Sequence, residues 1–210
     1  MRKHLTKVLL SGGVAALALG VGATTAMAVT ATTYTVKPGG AVTGKAGATT
    51  LKDTKTGTVL KCASSATKAT LKKGSGLSGS GLGSITSVTF TSCKGPGGLA
   101  FTAKTSASSA HPWKLNASSF KSGVTHGSIT GITASISGSG CTATVAGTTA
   151  SSKGKTTGTY TNSTHILKVS GGNLHVWNVS AGCLGLINTG DPSTFTGSYT
   201  ISPGQTITSP

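Results

Sequence analysis

Short runs in which apolar and polar residues alternate recur along most of this chain. Val88-Thr-Phe90 and Leu174-His-Val176-Trp-Asn178 are two examples. A period of two residues is typical of β-strands with one buried face. Gly, Ser, Asn or Pro separate the runs and strong helix formers are sparse, so the pattern predicts strands rather than helices. The predicted strands are Tyr34–Val36, Thr49–Leu51, Thr58–Cys62, Lys68–Leu71, Ile85–Thr91, Leu99–Thr105, Trp113–Ala117, Ser128–Ile136, Thr142–Ala146, Thr156–Thr161, Ile166–Val169, Leu174–Val179, Thr194–Ile201 and Thr206–Thr208.

These strands predict an all-β fold, an antiparallel sandwich or barrel. Residues 29–210 suit a single domain of this kind, and two β subdomains that meet near 113–120 are the alternative. Residues 74–83 and 147–155 resemble mobile linkers, because Gly, Ser and Thr dominate them. Gly171-Gly172 predicts a tight turn between two strands, and Asn162-Ser163 is a weaker turn signal.

A faint internal repeat predicts two irregular strands. Gly83-Ser-Ile-Thr-Ser-Val-Thr89 resembles Gly127-Ser-Ile-Thr-Gly-Ile-Thr133, and each copy leads towards a cysteine. In both copies the apolar residue moves to the other strand face three positions on, from Ile85 to Val88 and from Ile129 to Ile132. A β-bulge would account for this change.

The N-terminus has the pattern of an export signal. Arg2, Lys3 and Lys7 precede an apolar run, and Ala26-Met27-Ala28 supplies a site of small residues for cleavage. We therefore expect a signal peptide at 1–28 and a secreted or extracellular protein, with cell-wall association as a further option. No later stretch is long and apolar enough to span a membrane.

Four cysteines, Cys62, Cys93, Cys141 and Cys183, follow the predicted signal. An even number in an exported chain predicts two disulfides. A zinc site is disfavoured, because no Cys-x-x-Cys pair exists and no histidine lies close to a cysteine. Of the three possible pairings, nearest-neighbour pairing is favoured because each bridge would close one half of the chain.

Carboxylates are scarce enough to restrict the chemistry. Asp53 and Asp191 are the only two after residue 28, and there is no glutamate. Paired acid–base catalysis would require these two residues to meet, and a Ca²⁺ or Mg²⁺ site needs more carboxylate oxygens. The sequence therefore predicts a non-enzymatic protein with no catalytic residue, metal site or cofactor. Asn188-Thr-Gly-Asp-Pro192 is typical of a turn in which Asp191 binds nearby backbone.

The basic residues are unevenly placed. Of the 18, three lie in the predicted signal, and the other 15 are all lysine. Eight fall between Lys37 and Lys73, which predicts salt-sensitive contact with an anionic wall polymer or polysaccharide. A solubilising surface is the alternative reading. Sequence-specific nucleic-acid binding is disfavoured, because no arginine follows the signal. The predicted contact residues are Lys52, Lys55, Lys61, Lys68, Lys72 and Lys73.

Aromatic residues suggest a second kind of site. His175 and Trp177 share one face of a predicted strand, and Trp113 is the other tryptophan. These three side chains could line a groove or a barrel interior that binds a small molecule or a carbohydrate. The alternative is that tryptophan fills the core of a chain with few large apolar residues.

Several segments together resemble a family of small secreted proteins from Streptomyces and related actinomycetes. The resemblance covers most of residues 29–210. It implies an extracellular, actinomycete origin, and it carries over no catalytic residues because no activity is assigned to that family. The segments are Pro112-Trp-Lys-Leu-Asn116, Gly127-Ser-Ile-Thr-Gly-Ile132, Thr159-Tyr-Thr-Asn-Ser163, Gly172-Asn-Leu-His-Val-Trp-Asn-Val-Ser180, Gly182-Cys-Leu-Gly-Leu-Ile187 and Thr189-Gly-Asp191.

Overall fold

The computed structural model describes residues 32–210, so the predicted signal at 1–28 lies outside the described residues. The described chain is all-β and antiparallel, as predicted, with two short 3-10 turns at Pro96–Gly98 and Ala181–Cys183. The strands are β1 Thr33–Lys37, β2 Gly40–Ala46, β3 Thr49–Asp53, β4 Val59–Leu71, β5 Gly74–Ser78, β6 Gly83–Lys94, β7 Ala100–Thr105, β8 Trp113–Lys121, β9 Val124–Ile132, β10 Ala134–Gly138, β11 Cys141–Ala146, β12 Gly154–Thr161, β13 Ile166–Val169, β14 Leu174–Trp177, β15 Pro192–Ser202 and β16 Thr206–Thr208.

The large sheet closes into a tube made of two rings of strands. β4, β6 and β15 are long and belong to both rings. The other positions in the tube are each filled by two shorter strands placed end to end, such as β2 followed by β3. The sheet is therefore closed, as in the barrel alternative. The first ring runs β2-β4-β6-β8-β9-β12-β13-β15, and the second runs β3-β4-β6-β7-β10-β11-β14-β15.

A separate three-stranded sheet packs against the end of the first ring. Its order is β16-β1-β5. Tyr34, Val36 and Ile207 from this sheet form a cluster with Leu82 and Tyr160. Burial of these apolar side chains stabilises the sheet on the ring. The opposite end of the tube lies in the second ring, beside both disulfides.

The disulfides have the nearest-neighbour pairing that the sequence favours. Cys62 bonds to Cys93, and Cys141 bonds to Cys183. Cys62 and Cys93 also face each other in the β4–β6 ladder. Cys141 opens β11, whereas Cys183 lies in the second 3-10 turn, so this bridge ties a loop to the sheet.

Both predicted bulges are present. On β6, Ser87 faces Lys68 and Ile85 faces Ala69, which leaves Thr86 as the extra residue. A bulge of this kind shifts the alternation by one position. Val88 can therefore pack in the same core cluster as Ile85.

The second bulge lies on β9. Thr130 faces Lys155 and Ile132 faces Gly154, so Gly131 is the extra residue. Gly131 has φ +89°, a conformation that glycine adopts without steric cost. Ile129 and Ile132 consequently pack in one core cluster.

The two segments predicted as linkers are regular parts of the fold, so that interpretation was wrong. Residues 74–78 form β5, whose backbone pairs with β1. Residues 147–152 form a turn in which Gly147 N donates to Ser152 O (2.9 Å). Backbone pairing does not need a hydrophobic pattern, so Gly- and Ser-rich sequence can still form a strand.

The prediction of a tight strand-to-strand turn at Gly171-Gly172 was also wrong. The strands on either side, β13 and β14, do not pair with each other but with successive parts of β15. The chain therefore steps from one ring to the other at this point. The hairpin lies instead at the weaker signal, Asn162-Ser163, between β12 and β13.

Candidate functional site

All 15 lysines of the described chain are exposed. Most of those within strands have a buried neighbour: Lys61 precedes buried Cys62, and Lys68 precedes buried Ala69. Lys104 lies between two half-buried residues. Six strand lysines lie on the outer surface of adjoining strands, and we call this set the lysine face. Its members are Lys45 on β2, Lys52 on β3, Lys61 and Lys68 on β4, Lys94 on β6 and Lys104 on β7.

The strand register sets the spacing of the lysine face. Lys45 faces Ala66, Ala66 faces Thr89, and Thr89 faces Lys104. With about 4.8 Å between neighbouring strands, Lys45 and Lys104 are roughly 14 Å apart across the sheet. At the other end of the face, Lys61 lies directly opposite Lys94. The backbone of the sheet therefore holds these positive charges at fixed separations.

The predicted lysines divide between this face and other places. Lys52, Lys61 and Lys68 belong to the face, whereas Lys72 and Lys73 follow the end of β4, near the three-stranded sheet. Lys45, Lys94 and Lys104 also belong to the face, although the sequence pattern did not predict them as contact residues. Their position on the face depends on strand pairing, which the sequence pattern does not reveal.

Lys55 has a different role from the other predicted lysines. Its Nζ lies 3.2 Å from Asp191 Oδ1, which is the single ion pair within residues 32–210. The lysine face consequently has no carboxylate partner in the described part of the chain. Its positive charge is directed to solvent.

The two aspartates lie at one corner of the second ring. Asp53 faces Ser193 in the β3–β15 ladder. Ser193 lies two residues after Asp191 along the chain. Asp53 Oδ1 accepts hydrogen bonds from the backbone amides of Lys55 and Thr56, each at 2.9 Å. This carboxylate therefore fixes the turn that follows β3.

Asp191 also fixes a turn, as the sequence predicts. Its Oδ2 accepts from Asn188 N at 2.8 Å and from Asn188 Nδ2 at 3.0 Å. Burial raises the pKa of Asp191, but the hydrogen bonds from Asn188 and the contact with Lys55 outweigh it and hold that pKa below its usual value. Asp191 is thus stabilised as a carboxylate, which is unfavourable for a general acid near neutral pH.

The structure brings two of the three predicted aromatic residues together. The rings of His175 and Trp177 stack, with centroids 6.3 Å apart, and both side chains are half-buried. Trp177 Nε1 donates to Gly147 O (2.9 Å), and His175 Nδ1 lies 3.1 Å from Asn173 O. The alternating residues Leu174 and Val176 are buried, so His175 and Trp177 are on the outer face of β14.

Trp113 is separated from that pair. It is 7% exposed and packs in the main core cluster. Its Nε1 donates to Ser106 Oγ (3.1 Å). The structure therefore does not bring Trp113, His175 and Trp177 together in one site.

The tube interior contains two adjoining apolar cavities of about 100 Å³ each. Both are lined by Ile85 and Ile129, and Trp113 lines only the first. The hydroxyls of Thr49 and Thr156, which also line the first cavity, are buried and have no hydrogen-bond partner among residues 32–210. A small molecule with an occasional polar atom matches such a lining.

Two further kinds of site, a metal centre and a membrane-spanning helix, have no match among residues 32–210. Within the described range, no three His, Cys, Asp or Glu residues cluster in a way that could hold a metal ion. None of the helical segments between residues 32 and 210 has the length and apolarity needed to cross a bilayer.

Fold and surface together define a disulfide-bonded, all-β protein with a fixed array of exposed lysines. Comparison with family models, with curated proteins and with solved structures finds no match for this chain. A functional assignment therefore has to come from the chemistry of the chain itself.

Proposed function

We propose that this chain is a secreted, non-enzymatic protein that binds an anionic wall polymer or polysaccharide through the lysine face. The observation that carries this proposal is the direct opposition of Lys61 and Lys94 on β4 and β6. Like charges at opposite positions of an antiparallel pair destabilise the sheet. A bound polyanion would remove that repulsion.

The rest of the face supports the same function. Lys45, Lys52, Lys68 and Lys104 extend the charge over neighbouring strands, and all are exposed. A polymer with repeated phosphates or carboxylates could contact several of them at once, with little cost in ordering the protein. In such multivalent binding, several individually weak contacts together give a higher overall affinity.

Export is the other part of the proposal. Two disulfides in a chain of this kind favour an oxidising compartment. The signal pattern at 1–28 and the resemblance to secreted actinomycete proteins favour an extracellular location, in contact with the wall. A non-enzymatic role is supported by the two aspartates, because both hold turns.

Co-sedimentation of the purified protein with isolated cell walls tests the proposal. Charge screening extends to about 10 Å at 0.1 M salt and about 3 Å at 1 M, so binding at low salt should be lost at high salt. Walls stripped of their anionic polymer should retain less protein. Retention that is insensitive to salt would contradict the proposal.

Paired substitutions then test the face itself. Lys61→Gln with Lys94→Gln should weaken retention clearly more than the control Lys121→Gln with Lys153→Gln. Both pairs remove two exposed positive charges, but the control residues lie outside the lysine face. Equal losses from the two pairs would show that net charge alone, rather than the face, attracts the wall.

A second candidate function is small-molecule binding inside the tube. The two adjoining cavities favour it, with the unpartnered hydroxyls of Thr49 and Thr156 as polar contacts. Trp113 is the natural reporter because it lines the first cavity, while Trp177 lies outside. Ligand screening by tryptophan fluorescence should give a signal that survives Trp177→Phe and disappears with Trp113→Phe. A response that depends on Trp177 instead would contradict interior binding.

A further inference from the structure

The second ring ends in an apolar groove that adjoins the Trp113 cavity, and Leu51, Leu60 and Ile136 line both. It has a volume of about 120 Å³. Large apolar side chains that are exposed to solvent are rare in the described chain, and all four of them line this groove. They are Val59 (38% exposed), Leu99 (49%), Leu184 (85%) and Leu186 (42%).

This concentration of exposed apolar side chains is the first observation that favours a binding site. Exposed apolar residues are normally scattered singly over a protein surface, and contiguous patches tend to be functional. Val59 comes from the start of β4, Leu99 precedes β7, and the two other leucines follow the Cys141–Cys183 bridge. That bridge also lines the groove, so the loop segment of its wall is covalently tied to β11.

Two residues that line the groove carry a buried polar atom for which the described chain provides no partner. They are Asp53 (3% exposed) and Ser193 (5% exposed). Asp53 Oδ2 and Ser193 Oγ are buried, and neither has a hydrogen-bond partner within residues 32–210. A buried oxygen without a partner costs free energy, most of all on a carboxylate. A ligand group that bonds both atoms would remove this cost.

The register defines which chemical group fits. Asp53 and Ser193 face each other across β3 and β15, so their side chains lie side by side. Asp53 Oδ2 can only accept a hydrogen bond, whereas the Ser193 hydroxyl can also donate one. A ligand hydroxyl donates to the first and accepts from the second. A cationic amine could also donate to both oxygens, but the positive charge of Lys52 and Lys61, which are sequence neighbours of residues that line the groove, opposes it.

We propose that this groove binds a compact, mainly apolar molecule through a hydroxyl group held between Asp53 and Ser193. The groove is smaller than an engineered apolar cavity of about 150 Å³ that holds benzene. It is open to solvent at its exposed side chains, however, so one aromatic ring can lie partly within it. The ring would contact Val59, Leu99 and Leu186. This site is independent of polyanion binding, so either proposal can fail without the other.

Methyl NMR titration of the purified protein with benzyl alcohol tests the site directly. The methyl signals of Val59, Leu99 and Leu186 should shift, while those of Ile85 and Ile129 in the interior cavities should not. Toluene, which lacks the hydroxyl, should bind at least about fivefold more weakly, because it forms neither the hydrogen bond to the Asp53 carboxylate nor the one to Ser193. Benzylammonium should also bind more weakly than benzyl alcohol.

Two substitutions locate the ligand within the groove. Ser193→Ala should weaken benzyl alcohol binding about fivefold and leave toluene binding unchanged. Val59→Trp, at the partly exposed rim, should fill the groove and abolish both, whereas Thr200→Trp at an exposed position of the first ring should affect neither.

Three results would overturn the proposal. The first is the absence of groove shifts up to the solubility of benzyl alcohol, or shifts confined to Ile85 and Ile129. The second is toluene binding as tightly as the alcohol, and the third is tighter binding of benzylammonium. The comparison of the three probes uses the unaltered protein, so it decides the matter even if a variant fails to fold.

Discussion

Lys55 Nζ and Asp191 Oδ1 lie 3.2 Å apart, yet the lysine side chain is 70% exposed while the aspartate is 1% exposed. The ion pair therefore joins a solvated charge to a buried one. Solvent screens the contribution of Lys55, so the backbone and side-chain amides of Asn188 contribute much of what keeps Asp191 ionised. Because the fold stabilises the ionised form of Asp191, the stability of the folded protein should fall when acid protonates this carboxylate.

Lowering the pH should destabilise the protein through Asp191. Its pKa in the folded state is below the ordinary value of 3.8, because the hydrogen bonds and Lys55 outweigh the effect of burial. The folded state then binds this proton less readily than the unfolded state. The contribution is fully present above about pH 4 and is lost as the pH falls through the folded-state pKa. Thermal unfolding between pH 7 and pH 2 measures it.

Substitution isolates the contribution of this residue. Asp191→Asn should lower the free energy of unfolding at pH 7 by about 2 kcal/mol, because an amide group would face the donors of Asn188. It should also flatten the acid dependence relative to the parent protein. Lys55→Gln should cost less than about 1 kcal/mol, since that side chain is exposed. Equal effects of the two substitutions would contradict the assigned roles.

Removal of one disulfide should loosen a defined loop. On a chain-entropy estimate, the Cys141–Cys183 bridge, with a separation of 42 residues, contributes roughly 4 kcal/mol. The double change Cys141→Ser and Cys183→Ser should therefore lower stability and increase amide exchange in residues 178–190.

The other bridge supplies the comparison. Its separation of 31 residues predicts a similar entropic loss, of roughly 4 kcal/mol. However, Lys61–Lys94 and Ser64–Thr91 continue the β4–β6 ladder on either side of it. Loss of Cys62–Cys93 should thus leave exchange in residues 178–190 unchanged. The same exchange pattern in both variants would disprove this local assignment.

Tyr160 should be a major determinant of how the C-terminal segment is held. Its hydroxyl donates to Gln205 O (2.8 Å) and accepts from Gln205 N (3.0 Å), and Gln205 is 1% exposed. Burial raises the pKa of Tyr160, although the Gln205 bond opposes it, so the phenol keeps its proton at neutral pH. Tyr160→Phe leaves two buried backbone groups without a partner and should cost about 2 kcal/mol.

Chemical denaturation measures this loss, and Tyr199→Phe is the matched control. Tyr199 OH donates only to Ser65 Oγ (3.0 Å), so its removal should cost about 1 kcal/mol. Amide exchange at Ile207 should rise in the Tyr160 variant alone. Unchanged protection there would mean that Tyr160 does not hold β16.

Reversing one charge on the lysine face should separate stability from binding. Lys94→Glu places opposite charges across β4 and β6, where Lys61 and Lys94 now repel. The protein should gain about 0.2–1 kcal/mol in stability while its retention on walls decreases. Denaturant unfolding and co-sedimentation of the same preparation measure both, with Lys94→Gln as the neutral control. A gain in both properties would contradict polyanion binding at this pair.

Side-chain periodicity determined most of the strands. Ile166–Val169 and Thr206–Thr208 have the bounds that the sequence predicts. β2 was missed, because its inward positions are small residues such as Gly44 and Ala46, which carry little hydrophobic signal. Gly44 is small for a tertiary reason: a Cβ there would lie 2.6 Å from Thr67 Cγ2. That contact depends on the neighbouring strand.

The sequence by itself determined the all-β class and the two bulged strands, because each follows from local alternation along the chain. Among the three possible cysteine pairings it only favoured the one that the structure shows. Only the tertiary structure shows that Lys61 lies opposite Lys94, that Trp113 is in the core and apart from Trp177, and that Asp53 lies beside Ser193. Strand register and ring closure bring together residues distant in sequence, and their partners are selected by packing over the whole tube. The local sequence pattern of a strand does not indicate which strand it will pair with.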